Sequence, residues 1–533
     1  MFIETLCQII CNITIMKSKF LYLLILILLI SNHSYGQNNQ QDSLDHHIKK
    51  LMEYFETPGL AISIVQNGNI QYARGFGTRT INKNEPVDDN TLFAIGSITK
   101  SFTALALGML VDEGKINWDD KVIKYLPYFQ LYDPYVTNSF TIRDLLIHRS
   151  GLKEVSGGTL FYHSDLNRED IIKRLKYLDQ ETEFRTKPAY QNIMYLVAAK
   201  IVEVVSGSLW DDFIREQIFK PLGMSNTVIS QSERIKSKNI SAPHIKNEKF
   251  QVIPIEQEKL DNIAPAGSFY SSANDMAQYM IFILNNGIVG KDTLVSREVF
   301  NEILKPQFHF PFRDEPIHNE FTSYGFGWWL TPKNGNKIIE HSGGVDGASA
   351  FLIMVKNKNF GVIVLINTSA GWRIMLSLAF DIIGNILNDP DYKKVSDIYK
   401  RNPVKDDSLQ AELRDNILES RIRNTNPSLS LDQYEGIYND EMYGDIYISK
   451  KDEKLQIEFS HTPLFTGDLS HWHYDTFEID WEDPRIPNGF ITFNFNSKEK
   501  VIGFKFDQPN LLDVDFLELE IKMKEDMTID KEH

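Results

Sequence analysis

Residues 93–115 read FAIGSITKSFTALALGMLVDEGK. Leu105, Leu107, Leu110 and Val111 predict a helix from Ser97 to Glu113, and Gly114 followed by Lys115 is a fitting stop. Residues i and i+3 share a helix face, so Ser97 Oγ and Lys100 Nζ can meet. A serine hydroxyl is a weak nucleophile until a neighbour takes its proton. A desolvated lysine loses basicity and can take that proton near neutral pH. The helix N-terminus adds positive potential and free N–H groups beside a developing oxyanion. The spacing alone is weak, because it recurs at Ser150/Lys153 beside Gly151 and at Ser497/Lys500 in a polar turn. Only the Ser97 copy has an apolar helix behind it.

On the N-terminal side of this stretch, residues 44–55 are helix-like. Leu60–Gln66 and Ile70–Gly77 read as strands joined by the turn Asn67-Gly68-Asn69. A second strong helix is predicted over Asn192–Val205, ended by Gly207. Ser208 is expected to cap a third, with Asp211 completing a capping box. Gly325–Leu330, Ser349–Val355 and Phe360–Asn367 read as strands. Helices in mid-sequence and strands at both ends predict an α+β domain: one antiparallel sheet built from both ends, flanked by helices, plus a helical subdomain. Residues 389–427 are charged and Asn-rich, a helical linker. Beyond Leu429, apolar residues alternate at Ile446/Ile448, Leu455/Ile457/Phe459, Ile491/Phe493/Phe495, Ile502/Phe504/Phe506 and Leu517/Leu519/Ile521. Turn residues separate these runs, which predicts a small all-β antiparallel sandwich or barrel.

The chain has 533 residues, with 56 Lys+Arg against 72 Asp+Glu and a net charge of −16. A basic nucleic-acid-binding stripe is therefore not expected. The apolar run Phe20–Ile30 is too short to span a bilayer. With Lys17 and Lys19 before it and Ser34-Tyr35-Gly36 after it, it reads as a signal peptide cut before Gln37. Residues 1–15 fit poorly ahead of that segment, which points to Met16 as the true start. Cys7 and Cys11, the only two cysteines, leave with it, which suits an oxidising compartment. The expected organisation is 1–36 signal region, 37–388 first domain, 389–427 linker, 428–525 β-domain and 526–533 tail. No membrane span is expected after cleavage, and the location is periplasmic or secreted.

Tyr190-Gln191-Asn192 stands before the second helix, and His341-Ser342-Gly343-Gly344 before a sheet strand. With Ser97–Lys100, and in this order, they resemble the motifs of the penicillin-recognising serine hydrolases: class C β-lactamases, DD-peptidases and related esterases and D-aminopeptidases. LLIHRSGL (145–152), IFKPLGMSNT (218–227), PAGSFYSSANDMAQY (265–279) and YGFGWWL (324–330) extend the resemblance over about residues 44–387. It implies a β-lactamase/transpeptidase-like fold with Ser97 as acylated nucleophile and Lys100 as general base. Tyr190 would share the proton traffic, and Asn192 would bond substrate or Lys100. His341, Ser342 and Gly343 would pair with the substrate backbone by strand addition. The N–H groups of Ser97 and Gly344 would form the oxyanion hole. No metal and no cofactor are implied. LDQYEGIYND (431–440), YGDIYIS (443–449) and HWHYDTF (471–477) resemble the lipocalin-like barrel appended to many such hydrolases. In those relatives the barrel packs on the catalytic domain or mediates homo-oligomers.

One position departs from the pattern. β-Lactamases and penicillin-binding proteins carry Lys where this chain has His341, and histidine is largely neutral at pH 7. That shifts the expected substrate from β-lactams towards small peptides, D-residue or peptidoglycan-type, or esters. The alternatives are a β-lactam hydrolase or carboxylesterase, and, from another class, a non-catalytic binding or assembly protein. His148 and Ser150 read as loop residues, His471 and His473 as an aromatic-rich strand without a third metal ligand, and Trp328 and Trp329 as sheet packing.

Overall fold

The computed structural model describes residues 41–310, 321–401, 403–509 and 511–524. The expectations for residues 1–36, Met16 and the cut before Gln37 included, and for the tail 526–533 lie outside the described residues. The chain divides into two units, Met1–Tyr54 and Phe55–His533. Of the first, residues 41–54 form one helix.

In the second unit, strands β1 (Gly59–Gln66) and β2 (Asn69–Gly77) form the expected hairpin. Asn67 and Gly68 both take positive φ, +51° and +77°, as a two-residue turn between right-twisted strands requires. Helix α1 is Thr99–Asp112, α2 Ile193–Ser206 and α3 Ala273–Leu284. Strands β3 (Phe308–His309), β4 (Ser323–Tyr324), β5 (Trp329–Lys333), β6 (Asn336–Val345), β7 (Ala348–Val355) and β8 (Phe360–Ile366) follow. They and the hairpin make one antiparallel sheet, ordered β2-β1-β8-β7-β6-β5-β4-β3. Leu60 lies opposite Ile366, so strands from opposite ends of this region pair side by side within one sheet. β7 and β8 are buried at every residue. Helix α3 packs on β1 and β8, and α4 (Trp372–Leu387) on β7 and β8.

Helix α1 starts two residues later than its sequence predicts, because Gly96–Ile98 forms a 3₁₀ turn ahead of it. It is buried from Thr99 to Leu110 without a polar face, as a helix does when it runs through the core. Three further expectations are corrected. Ser208 does not cap the third helix: Leu209 holds that position, the Trp210 N–H goes to Glu203 at 3.3 Å, and Asp211 pairs with Arg168 at 2.7 Å. Gly325–Leu330 is not one strand: residues 325–328 turn between β4 and β5, with Gly327 at φ +74°, and only Trp329 and Leu330 belong to β5. Leu517–Ile521 alternates like a strand, yet Phe516–Glu518 is a 3₁₀ turn and only Lys522–Met523 joins the ladder.

Two helices, Pro390–Tyr399 and Pro403–Glu419, lead to eight strands, β9 (Gly436–Asp440) to β16 (Lys522–Met523), that close into a barrel. The barrel interior is filled by aromatic rings, among them Phe459, Phe465, Trp481, Phe506 and Phe516. A barrel of eight strands is just wide enough for that. Phe465 also stacks on Tyr162 of the first domain, ring centroids 5.7 Å apart, and the apolar core runs on from one to the other.

Candidate active site

Ser97 sits in the 3₁₀ turn at the mouth of α1, and Lys100 stands one turn further in. Lys100 Nζ lies 2.9 Å from Ser97 Oγ, 2.6 Å from Asn192 Oδ1 and 3.0 Å from the Ala266 carbonyl. An amide oxygen and a carbonyl can only accept. A neutral Lys100 must therefore point its two protons at Asn192 and Ala266, which leaves its lone pair facing the Ser97 hydroxyl. Burial pulls the Lys100 ammonium down to about 7, against a smaller opposing pull from the Asp513 carboxylate. A base poised near neutrality is what proton abstraction from serine needs.

Tyr190 and Asn192 stand on the irregular segment that enters α2. The Tyr190 hydroxyl is buried and pushed well above its ordinary value, by burial first. Ser97 lies close enough to favour its ionised form slightly, though no hydrogen bond of ordinary geometry joins them. Tyr190 thus stays protonated, and the lysine is the group able to accept. Lys100 Nζ also lies 4.8 Å from the Tyr190 ring centroid and 5.5 Å from that of Tyr195.

Strand β5 pairs with β6 only from Lys333↔Asn336 to Trp329↔Glu340. From His341 to Val345, β6 pairs with β7 alone among the described strands, so its other edge faces the site. Gly343 allows the approach to the serine turn: a Cβ there would meet the Ile95 carbonyl oxygen at 1.9 Å. His341 is 1% exposed. Its Nδ1 lies 2.6 Å from the Ser342 carbonyl and its Nε2 3.0 Å from the Tyr324 hydroxyl. Nδ1–H therefore donates, and Nε2 accepts from the tyrosine. Burial, with Lys100 adding to it, holds the ring down at about 3, so His341 is neutral.

The surroundings hold residues that the sequence did not single out. The turn Leu511–Val514 of the C-terminal barrel reaches into the cleft, where Leu512 and Asp513 line it with Ser97, Asn192 and Gly344. The space left is about 30 Å³, room for roughly one or two waters. Burial pushes the Asp513 carboxyl up, against the lowering pull of Lys100 and, after it, of the nearby Asn192 side chain. Beyond it, buried Glu258 also lines the cleft and accepts the Asp346 N–H at 2.8 Å. Burial, then the Asp346 charge, keeps Glu258 well above the carboxylate range, so that pair carries a proton. Nothing local in sequence links these three carboxyls to Ser97. His148, read as a loop residue, packs its ring 4.2 Å from that of Tyr190. Trp329 lies 6.5 Å from Tyr190, whereas Trp328 is buried against Tyr279.

Among the described residues, His163, Glu258 and Asp346 bring ligand atoms within 4.8 Å of one another. Arg485 Nη1 already lies 3.1 Å from His163 Nε2, and the carboxyl pair carries a proton. The guanidinium supplies the positive charge, and the group does not fit a metal ion as well.

A Ser–Lys pair whose lysine is buried, beside a free sheet edge, is the arrangement that acyl transfer requires. The Beta-lactamase family description matches residues 44–375, and the chain belongs to that family. Residues 420–527 match a domain of unknown function, DUF3471. The chain is 27% identical over 333 residues to unguisins hydrolase ungD' of Aspergillus campestris, covering 60% of each chain. It is 30% identical over 344 residues to penicillin-binding protein 4* of Bacillus subtilis, covering 60% of this chain and 71% of that one. It spans 60% and 61% of the length of the first relatives it matches. The octameric penicillin-binding protein homologue from Pyrococcus abyssi has the same fold, with TM-score 0.56 and 23% identity over 90% of this chain and 99% of that one.

Proposed function

We propose that this chain is a serine hydrolase that cleaves amide or ester bonds of small peptides through an acyl-enzyme on Ser97. The observation that carries this is the Lys100 lone pair, aimed at Ser97 Oγ by two neighbours that can only accept. Neutral Lys100 takes the Oγ proton as Oγ attacks the carbonyl carbon. The N–H groups of Ser97 and Gly344 hold the oxyanion, each worth roughly 3 kcal/mol. The proton passes to the leaving nitrogen or oxygen, through Lys100 and Tyr190, as that bond breaks. Water, losing its proton to the same base, then releases the acid and restores Ser97.

Among the described residues that line the cleft, none is a permanent cation for a substrate carboxylate: His341 beside it is neutral, and the lining carboxyls are Asp513 and Glu258. That supports substrates without a carboxylate beside the scissile bond, such as esters and internal or blocked peptide bonds, D-residue and peptidoglycan-type ones included, over β-lactams. The signal-like segment before Gln37 supports export to the periplasm or beyond. The closed eight-stranded barrel is compatible with a lipocalin-like domain, and the octameric neighbour supports assembly into oligomers. A second reading, a binding or assembly protein without catalysis, is favoured by one observation, the barrel turn that fills the cleft.

Fluorophosphonate labelling followed by peptide mass mapping separates the two. Hydrolysis predicts an adduct on Ser97 and its loss in Ser97→Ala. Absence of any adduct, with Ser97→Ala equal to wild type on a panel of peptides and esters, leaves the binding reading.

A further inference from the structure

Tyr190 has an exacting place and weak local support. The segment from Thr182 to Asn192 contains neither helix nor strand, so no regular ladder holds the residue. What holds it is the loop 148–155. The carbonyl of His148 accepts the Ala189 N–H at 2.8 Å, and its ring Nδ1 accepts the Gln191 N–H at 3.0 Å. Val155 N–H donates to the carbonyl of Tyr190 itself at 2.8 Å, and the Gln191 side-chain amide bonds the Lys153 carbonyl. The peptide is thus gripped on both sides of Tyr190, and His148 supplies both flanking bonds.

His148 is built for that grip. It is 1% exposed, and its ring lies 4.2 Å from the Tyr190 ring at an interplanar angle of 31°. Its φ is +57° and that of Val155 +54°. Left-handed backbone is uncommon outside glycine and a true outlier for a β-branched residue. Such strain persists where surroundings over-determine it, and it clusters at working sites. The two strained residues are the two whose groups hold the Tyr190 peptide. Burial and the nearby Lys100 and His341 keep the ring uncharged, which leaves Nδ1 free to accept.

We infer that His148 is a positioning residue for Tyr190: its carbonyl and Nδ1 clamp the peptides flanking the tyrosine and keep the phenol hydroxyl beside Ser97. This rests on the reading of Tyr190 as the proton-carrying partner of Ser97. It assigns His148 no contact with substrate.

Two polar variants of the full chain test it. In His148→Asn, Oδ1 falls where Nδ1 stands, and asparagine accepts left-handed backbone. In His148→Gln, the acceptor falls at the Nε2 place and cannot reach the Gln191 N–H. Steady-state hydrolysis of a p-nitrophenyl ester is measured for both, alone and combined with Tyr190→Phe. A misplaced catalytic group costs about 10²-fold, so His148→Gln is expected to lose about that in kcat with KM little changed, and His148→Asn to stay within about tenfold of wild type. In the Tyr190→Phe background there is no hydroxyl to place, and the Asn and Gln variants should converge. Equal rates for Asn and Gln with Tyr190 present overturn the clamp, as does an undiminished difference between them in the Tyr190→Phe background. A Tyr190→Phe enzyme at the wild-type rate removes the proton role of Tyr190 and this inference with it, while the Ser97 adduct still stands or falls by its own assay.

Discussion

Replacing Gly158 with alanine tests how the barrel turn governs the cleft. Gly158 opens a short helix, Gly158–Phe161, and its φ is not left-handed, so alanine suits its own backbone. The obstacle lies across the interface. A Cβ there would stand 1.6 Å from the Asp513 carbonyl oxygen, 2.7 Å from its carbonyl carbon and 3.0 Å from Val514 Cα. Ordinary contact begins near 3.4 Å, so the turn must retreat by 3.4 − 1.6, about 1.8 Å. Main chain cannot step aside as a rotamer can. Leu512 and Asp513 leave the cleft with it, and a space of about 30 Å³ opens towards solvent. The anchors on either side, Lys153 to Asp515 and Glu518 to Gly157 N at 2.8 Å and Thr159 Oγ1 at 2.7 Å, resist that shift. Overpacking of this kind costs about 1–3 kcal/mol of stability. The assay compares kcat/KM for acetyl and octanoyl p-nitrophenyl esters. Relief of a steric barrier worth about 1.4 kcal/mol raises the octanoyl-to-acetyl ratio about tenfold. An unchanged ratio, or a parallel fall on both esters, would rule out the turn as an obstruction of the site.

The charges around Lys100 carry the other predictions. Because burial draws its ammonium to about 7, kcat/KM should rise with pH and level off above that value. Asp513→Asn removes a carboxylate that raises the lysine, so the inflection should move to lower pH; an inflection that stays put excludes that coupling. The same shift has a stability sign. Between about 7 and the ordinary lysine value of 10.5, the unfolded chain keeps a proton that the folded one has released, so this contribution to stability rises with pH across the window. Urea titrations of wild type and Lys100→Met should differ in slope there. His341→Lys places a second cation beside Lys100 and leaves the buried Tyr324 hydroxyl without its acceptor. It is expected to cost about 1–3 kcal/mol, to lower ester hydrolysis and to bring no gain in penicillin acylation. Faster acylation by penicillin with esterase activity retained would show instead that the position serves carboxylate recognition.

The Ser–Lys pair is legible in the sequence because a three-residue step on one helix brings two side chains together whatever the rest of the chain does. The hairpin β1–β2 is legible for a similar reason, since Asn67-Gly68 encodes its own turn. Where reading fails, a non-local partner intervenes. Asp211, a sound capping residue, is taken by Arg168. The alternation at Leu517–Ile521 is spent on a 3₁₀ turn that buries Phe516 in the barrel. His148 reads as a loop residue because its partners, Ala189 and Gln191, lie far along the chain. His341 stands out as an unusual residue at its motif position, but its tautomer depends on Tyr324 across the sheet.

Short spacings and periodicity are carried locally by a chain. They suffice to set Ser97, Lys100, Tyr190, Asn192 and His341 in an acyl-transfer pattern within an α+β domain, and to place a small β-barrel after it. How the site is tuned, and what can enter it, is fixed by the assembled fold alone. Lys100 is drawn towards neutrality because the fold removes water from around it, and Asp513 partly restores its charge from a different domain. The cleft is narrow because the barrel packs its Leu511–Val514 turn against Gly158 and above Ser97. Desolvation and domain contact depend on the sum of many distant packing choices, and no short stretch of residues encodes them.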